Sequence, residues 1–156
     1  MAVSFEDTER QARFLAAGLK ELGVERGDRV LIMDINSVEH VLAYFASALL
    51  DAVFVPLNYR SRTSEIANVL REVRPRVILA SGRYVFLIDE AKIEAKMSVP
   101  GIVIDGAAQS DNWVGWGEIL SSAIPFDGEP AGSDDDATMI MFTSGTSSKP
   151  KGVVLS

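Results

Sequence analysis

The sequence predicts an α/β fold: a mostly parallel sheet with helices on both faces. Three observations carry this. Nearly continuous apolar runs at Arg29–Met33, Val53–Leu57 and Arg76–Ala80 have strand length. Each is separated from the next by a segment whose apolar residues recur at i, i+3 and i+4. Strands without polar alternation are buried on both faces, and strands alternating with helices are joined by crossovers that run them parallel.

The elements follow in order. Ser4 suits a helix N-cap with Asp7 three residues on, and Ala12, Leu15, Ala16 and Leu19 form the apolar stripe that follows, with Gly23 as the stop. The strand at 29–33 comes next. Asn36 with Glu39 reads as a capping box opening a helix with Val38, Val41, Leu42, Phe45 and Leu49 on one face. The strand at 53–57 precedes a helix begun by Thr63, with Ile66, Val69, Leu70 and Val73 inside. Pro75 ends it, because the ring disfavours helical geometry at the preceding residue. The strand at 76–80 leads to a helix marked by Tyr84, Leu87, Ile88, Ala91 and Ala95. A short strand at Ile102–Ile104 and a short helix at Trp116–Ala123 follow, with both Trp113 and Trp116 expected to pack that helix on the sheet. An acidic, Pro- and Gly-containing stretch at Gly128–Asp136 precedes the last strands, Met139–Phe142 and Val153–Leu155.

Composition narrows the function. The chain has 156 residues, enough for one domain, and 47% of them are apolar. Net charge is −7, which speaks against a nucleic-acid surface. No apolar run approaches the ~18 residues of a membrane span. The first ten residues lack the basic-then-apolar pattern of a secretory signal, and the absence of cysteine suits a cytoplasmic location. With no cysteine and one histidine, neither a zinc site nor a Ser-His-Asp triad is supported. His40 reads as a surface residue of its helix. Asp134, Asp135 and Asp136 read as a solvated turn, and Arg71, Arg74 and Arg76 as a cluster at a helix C-terminus. Gly18 reads as a site of close helix packing.

The chemistry concentrates between the last two strands. Thr143, Ser144, Thr146, Ser147 and Ser148 place five hydroxyls within six positions, with Gly145 among them and Lys149, Pro150, Lys151 and Gly152 following. Phosphate oxygens accept from hydroxyls and from backbone N–H groups exposed in a turn. Gly145 lets the backbone approach a ligand closely. Lysines add charge-assisted hydrogen bonds, roughly twice as strong as neutral ones. The G-x-x-x-x-G-K-[ST] loop is excluded, since the order here is Lys151-Gly152 and Val153-Val154-Leu155 continues as a strand. By composition alone, an ordinary hairpin turn remains an equal reading.

The stretch Phe142–Val153 resembles the phosphate-binding loop of the AMP-forming adenylating enzymes, the superfamily of acyl-CoA synthetases, peptide-synthetase adenylation domains and luciferases. Phe142-Thr143-Ser144-Gly145-Thr146 and Pro150-Lys151-Gly152-Val153 match its pattern, while Ser147-Ser148 stands where Thr-Gly is usual. Gly27-Asp28-Arg29-Val30, Asn36-Ser37-Val38-Glu39, Val55-Pro56-Leu57-Asn58 and Ser4-Phe5-Glu6-Asp7 are similar to further family segments. Asp51-Ala52 departs from a common Gly-Ala. The likeness covers the whole chain, but only the front of the family's large N-terminal domain.

The resemblance implies an ATP-dependent acyl-CoA ligase that activates a carboxylic acid, with a fatty acid preferred, as an acyl adenylate and passes the acyl group to coenzyme A. It implies that Thr143, Ser144, Thr146, Ser147 and Lys151 contact the β- and γ-phosphates, that Thr143 touches Mg²⁺, and that Gly145 gives backbone access. Ser148 stands where glycine is usual, Lys149 occupies a variable position, and Pro150 and Gly152 shape the turn. Other adenylating chemistries, and a non-catalytic nucleotide-binding or interaction module, stay open. The expected organisation is a single incomplete α/β subdomain over 1–156, without the family's C-terminal lid domain, inactive by itself and self-associating through an exposed sheet edge.

Overall fold

The computed structural model describes residues 4–106, 110, 112–121, 124–133, 135–143 and 151–156. In chain order the elements are α1 (Phe5–Glu21), β1 (Arg29–Met33), α2 (Val38–Leu49), β2 (Val53–Pro56), α3 (Thr63–Val73), β3 (Val77–Ala80), α4 (Gly82–Ala95), β4 (Gly101–Val103), β5 (Trp113–Gly115), α5 (Trp116–Leu120), β6 (Met139–Thr143) and β7 (Lys151–Leu155). They build a seven-stranded sheet of order β5-β4-β3-β1-β2-β6-β7. Every neighbouring pair is parallel except β6–β7, which is antiparallel.

Strand alternation divides the core in two. Val30, Ile32, Phe54, Val77 and Leu79 face α1, α2 and α5, where they meet Leu15, Leu19, Leu42 and Ile119. Leu31, Met33, Val55, Ile78 and Ala80 face α3 and α4, where they meet Ile66, Leu70, Val85 and Ile88. β1 lies centrally, so four of its five residues are fully buried, which is why its run carries no polar alternation. Each buried Leu, Ile or Val contributes about 1.5–3 kcal/mol relative to leaving it exposed.

Local signals act largely as read. The Ser4 hydroxyl accepts from the Asp7 N–H at 3.1 Å, capping α1. α3 ends at Val73, and Arg74 takes a left-handed conformation (φ 47°) before Pro75. A Cβ on Gly18 would collide with Ile119, so α1 and α5 meet closely there.

Four readings change. The cap of α2 is Ser37 rather than Asn36: its hydroxyl accepts from the His40 N–H at 3.1 Å, one residue later than the expected box. The buried face of α2 is Leu42, Ala43, Ala46 and Ser47, whereas Val38, Val41 and Phe45 are exposed. Both stripes are apolar, so periodicity alone does not say which one meets the sheet. Trp113 lies in a short strand absent from the sequence reading, and it packs on the α4 side rather than beneath α5. Its Nε1 donates to Asp89 at 3.0 Å, and the Lys92 ammonium sits 4.2 Å from its ring centroid. Finally, β6 and β7 pair as antiparallel neighbours, so a hairpin arrangement and a ligand-binding loop are compatible rather than alternatives.

Candidate functional site

β6 runs parallel to β2, with Phe54 opposite Met139, so Thr143 lies at the carboxyl end of the parallel strands. In open α/β sheets ligands bind in the crevice beyond that end. Lys151 is paired with Thr143 across the antiparallel register, and Gly152 with Phe142. Both ends of the hydroxyl-rich segment are thus held at the carboxyl end of the parallel strands. Lys151 opens a strand rather than a helix, as the Lys-Gly order predicts. Ser144, Gly145, Thr146, Ser147, Ser148, Lys149 and Pro150 lie outside the described residues, so their expected roles rest on the sequence.

A cleft of ≈ 670 Å³ opens beside this edge, between α2 and the carboxyl ends of β1, β2 and β6. Asp34 forms its floor just past β1, and is 6% exposed. A buried carboxylate needs partners, and two hydroxyls supply them. Ser37 Oγ donates to Asp34 Oδ2 at 2.7 Å, and Ser81 Oγ donates to Asp34 Oδ1. Ser37 and Ser81 are the N-caps of α2 and α4, so one carboxylate ties two helix starts to the end of β1. Its negative charge also lies favourably near both positive helix termini.

His40 lies on the cleft wall. The expectation of a surface histidine is corrected: it is partly buried, and its ring meets the Phe54 ring edge-on at 5.4 Å. Nδ1 is buried and has no hydrogen-bond partner among the described residues. Burial lowers the imidazole pKa below the ordinary 6.5, opposed by the nearby Asp34 charge. Neither His40 nor Asp34 stands out by spacing. A polar residue directly after an apolar strand, as in Met33-Asp34 and Ala80-Ser81, was the available signal.

The remaining polar clusters serve structure. Arg29 donates to the carbonyls of Val73 (2.6 Å), Gly27 (2.9 Å) and Arg74 (2.8 Å), closing the end of α3. Arg71 donates to the Glu94 carbonyl and Arg76 to the Gly23 carbonyl, which bears out the structural reading of that cluster. Asp136 pairs with Arg26 and accepts from the Ser133 N–H, and Asp134 lies outside the described residues. Among the described residues no group of three His, Cys, Asp or Glu side chains is placed to hold a metal. No helix among them is long and apolar enough to cross a membrane.

Asp51 explains one departure noted in the sequence. It has φ 52°, the left-handed region that favours glycine. Its carboxylate accepts from the N–H groups of Ala131 (2.8 Å) and Gly132 (3.0 Å). The residue that looks misplaced on conformational grounds anchors the segment leading into β6.

A mostly parallel sheet with helices on both faces, and a hydroxyl- and lysine-rich segment between its last two strands, places the chain in the α/β class. Within that class the chain belongs to the AMP-binding enzyme family, whose model matches residues 1–156. It is 35% identical to long-chain-fatty-acid–CoA ligase FadD13 of Mycobacterium tuberculosis, over 87% of this chain and 26% of that protein. It is 34% identical to indoleacetate–CoA ligase of Aromatoleum aromaticum, over 91% of this chain and 28% of that protein. The crystal structure of anthranilate CoA ligase AuaEII, in complex with anthranoyl-AMP, superposes with TM-score 0.88 at 26% identity, covering 96% of this chain and 29% of that one. The chain spans about a quarter of the length of these ligases.

Proposed function

We propose that this chain is the front part of an ATP-dependent, AMP-forming acid–thiol ligase, and that residues 143–152 hold the triphosphate. The observation that carries this reading is the pairing of Thr143 with Lys151 at the carboxyl edge of the parallel sheet. The substrates are a carboxylic acid, Mg-ATP and coenzyme A. A carboxylate oxygen attacks the α-phosphorus, and the bond to the bridging oxygen breaks. Pyrophosphate leaves with that electron pair. The thiol sulfur of coenzyme A then attacks the acyl carbon, its proton is released, and AMP departs.

The first step brings an anion to a polyanion. Hydroxyls of Thr143, Ser144, Thr146 and Ser147 and the Lys151 ammonium would offset charge on the β- and γ-phosphates and orient the leaving group. Thr143 would add one hydroxyl oxygen to the magnesium that arrives with ATP, a hard cation suited to oxygen ligands. The expected compartment is the cytoplasm, with which the cysteine-free composition is compatible.

FadD13, a long-chain-fatty-acid ligase, supports a fatty acid as the substrate. The aromatic lining of the cleft favours a second reading, an aryl acid. The rest of the catalytic apparatus, the lid domain included, is expected outside these residues. A chain of residues 1–156 alone should therefore not exchange pyrophosphate into ATP. The exposed Val153, Val154 and Leu155 on edge strand β7 should favour self-association of that chain, read as a concentration-dependent mass in light scattering.

The test is pyrophosphate exchange by the full-length protein. Lys151→Met should raise the KM for ATP by at least about tenfold while leaving the KM for the acid within about twofold. Equal effects on both, or none, would reject the phosphate assignment.

A further inference from the structure

β6 and β7 hold to each other far better than to the rest of the sheet. They share five register pairs, whereas β6 meets β2 through a single one, Phe54 with Met139, and β7 stands at the sheet edge. The sequence of β2 explains the short ladder. In a parallel sheet, alternate residues of a strand donate to opposite neighbours. Val53 and Leu57 donate on the β1 side, to the carbonyls of Asp28 and Ile32, and Phe54 donates on the β6 side, to the carbonyl of Thr138. The next residue due to donate toward β6 is Pro56, which has no N–H. Side-chain packing supplies part of the constraint that the ladder lacks. Met139 packs with the α1 and α2 core and Ile140 and Phe142 with the α3 and α4 core, so a slip of one residue would exchange the faces. A slip of two would not, and it would carry Thr143 about 7 Å along the strand. In a reacting site a misplacement of about 1 Å can cost about a hundredfold in rate.

The remaining constraint comes from the segment that enters β6. Successive N–H groups there point at two carboxylates: Ala131 and Gly132 donate to Asp51 at 2.8 and 3.0 Å, and Ser133 donates to Asp136 at 2.8 Å. A Cβ on Gly132 would lie 2.8 Å from Asp51 Oδ1 and 3.2 Å from Asp136 Oδ2, so the chain passes between the two acids. Consecutive N–H groups of this kind make an anion-binding concavity, filled here by the protein's own side chains. Both acids are fixed to the turns before the central strands. The Asp51 carbonyl, just before β2, accepts from the Gly27 N–H, just before β1, at 2.8 Å. Asp136 pairs with Arg26 in that same β1 turn. The ion pair is half exposed and contributes little by its charge. The left-handed backbone of Asp51 is local strain, which persists only where the surroundings enforce it.

We propose that Asp51 and Asp136 are positioning residues for ATP: by holding residues 131–133 against the turns before β1 and β2, they set where β6 stands along β2, and with it where Thr143 and Lys151 present the phosphate segment. The proposal rests on the ligase reading above, and adds to it the residues that register its site.

The experiment is calorimetric binding of Mg-ATP to the full-length protein, with amide hydrogen exchange of the nucleotide-free protein beside it. Asp51→Ala and Asp136→Ala should each weaken Mg-ATP at least about fivefold. Asp51→Asn and Asp136→Asn keep an acceptor oxygen and should stay within about twofold of wild type. Gly101→Ala, in β4 on the other side of the sheet, loses stability without touching this segment and should also stay within about twofold. In both alanine variants exchange should quicken in β6 and β7 while β1 and β3 stay protected. Alanine variants that bind within about twofold of wild type overturn the proposal. So do asparagine variants as weak as alanine, a Gly101→Ala loss equal to theirs, or exchange that quickens evenly through β1 and β3. The Asp136 side chain is 45% exposed, so its alanine variant keeps the fold and decides the question where Asp51→Ala does not fold. A wild-type protein that binds no Mg-ATP would refute the ligase reading and this role with it, whereas wild-type binding that the variants leave intact refutes the role alone.

Discussion

Asp51 combines a conformational penalty with two hydrogen bonds, and the two effects separate by substitution. Its φ of 52° is disfavoured for a side-chain-bearing residue by about 1–2 kcal/mol, somewhat less for Asp. Its carboxylate accepts from two backbone N–H groups, at 2.8 and 3.0 Å. A hydrogen bond to a charged group contributes about 1.5–3 kcal/mol, and we take about 1 kcal/mol for each here because both are solvent-accessible. Asp51→Gly loses both bonds but relieves the backbone, for a net loss of about 1 kcal/mol. Asp51→Ala loses both with no relief, for about 2–3 kcal/mol. Asp51→Asn keeps an acceptor and tolerates the conformation, and should fall near glycine. Urea unfolding of the three variants against wild type, with unchanged slopes, gives the order. Alanine equal to glycine would refute the left-handed backbone. Glycine above wild type would show that the contacts to Ala131 and Gly132 contribute less than the backbone strain they accompany.

Asp34→Ala should lose about 2–4 kcal/mol in thermal or urea unfolding, because it leaves the buried Ser81 hydroxyl unpartnered and unties both helix starts; a loss below about 0.5 kcal/mol would show that the carboxylate is dispensable. His40 has a folded-state pKa below 6.5, so as pH falls through 6.5 the unfolded chain takes up a proton that the folded chain refuses. The stability His40 contributes is therefore full above pH 6.5 and declines below it. Melting temperatures of wild type and His40→Phe, compared from pH 8 to 5, should converge or cross on the acid side, and parallel curves would refute the sign. Gly101→Ala drives a methyl into the Trp113 ring and should cost about 1–3 kcal/mol with a red-shifted tryptophan emission; unchanged emission and stability would show that β5 yields freely.

Most of the architecture is legible because its signals are local. The Ser4 cap and the Arg74–Pro75 stop each act within a few residues, and the long apolar strands declare their burial directly. β5 escaped because Trp113-Val114-Gly115 is too short to show any period, and Gly115 weakens it further. The burial of His40 was hidden for another reason: it is created by Phe54, on a different element. α2 shows the same limit, with two apolar stripes and no local indication of which one the sheet would take. At the candidate site, the strand-loop-strand order and the lysine position were readable from residue types. The antiparallel pairing of β6 with β7 was readable only as the hairpin alternative, and the neighbouring cleft was not readable, because it needs β2 and β6 side by side, and these come from distant parts of the sequence.

That last juxtaposition bears on how the molecule is made. β1, β2 and β3 follow one another closely and can assemble early, whereas Phe54 must find Met139 across more than half the polypeptide. Closing such a distance is entropically slow, and contacts between remote residues tend to form after near ones. During synthesis the three central strands can already be in place while the ribosome has yet to deliver the segment that completes the rim. A nascent chain halted before Met139 would be folded in its middle and would lack both strands that bracket the proposed phosphate segment.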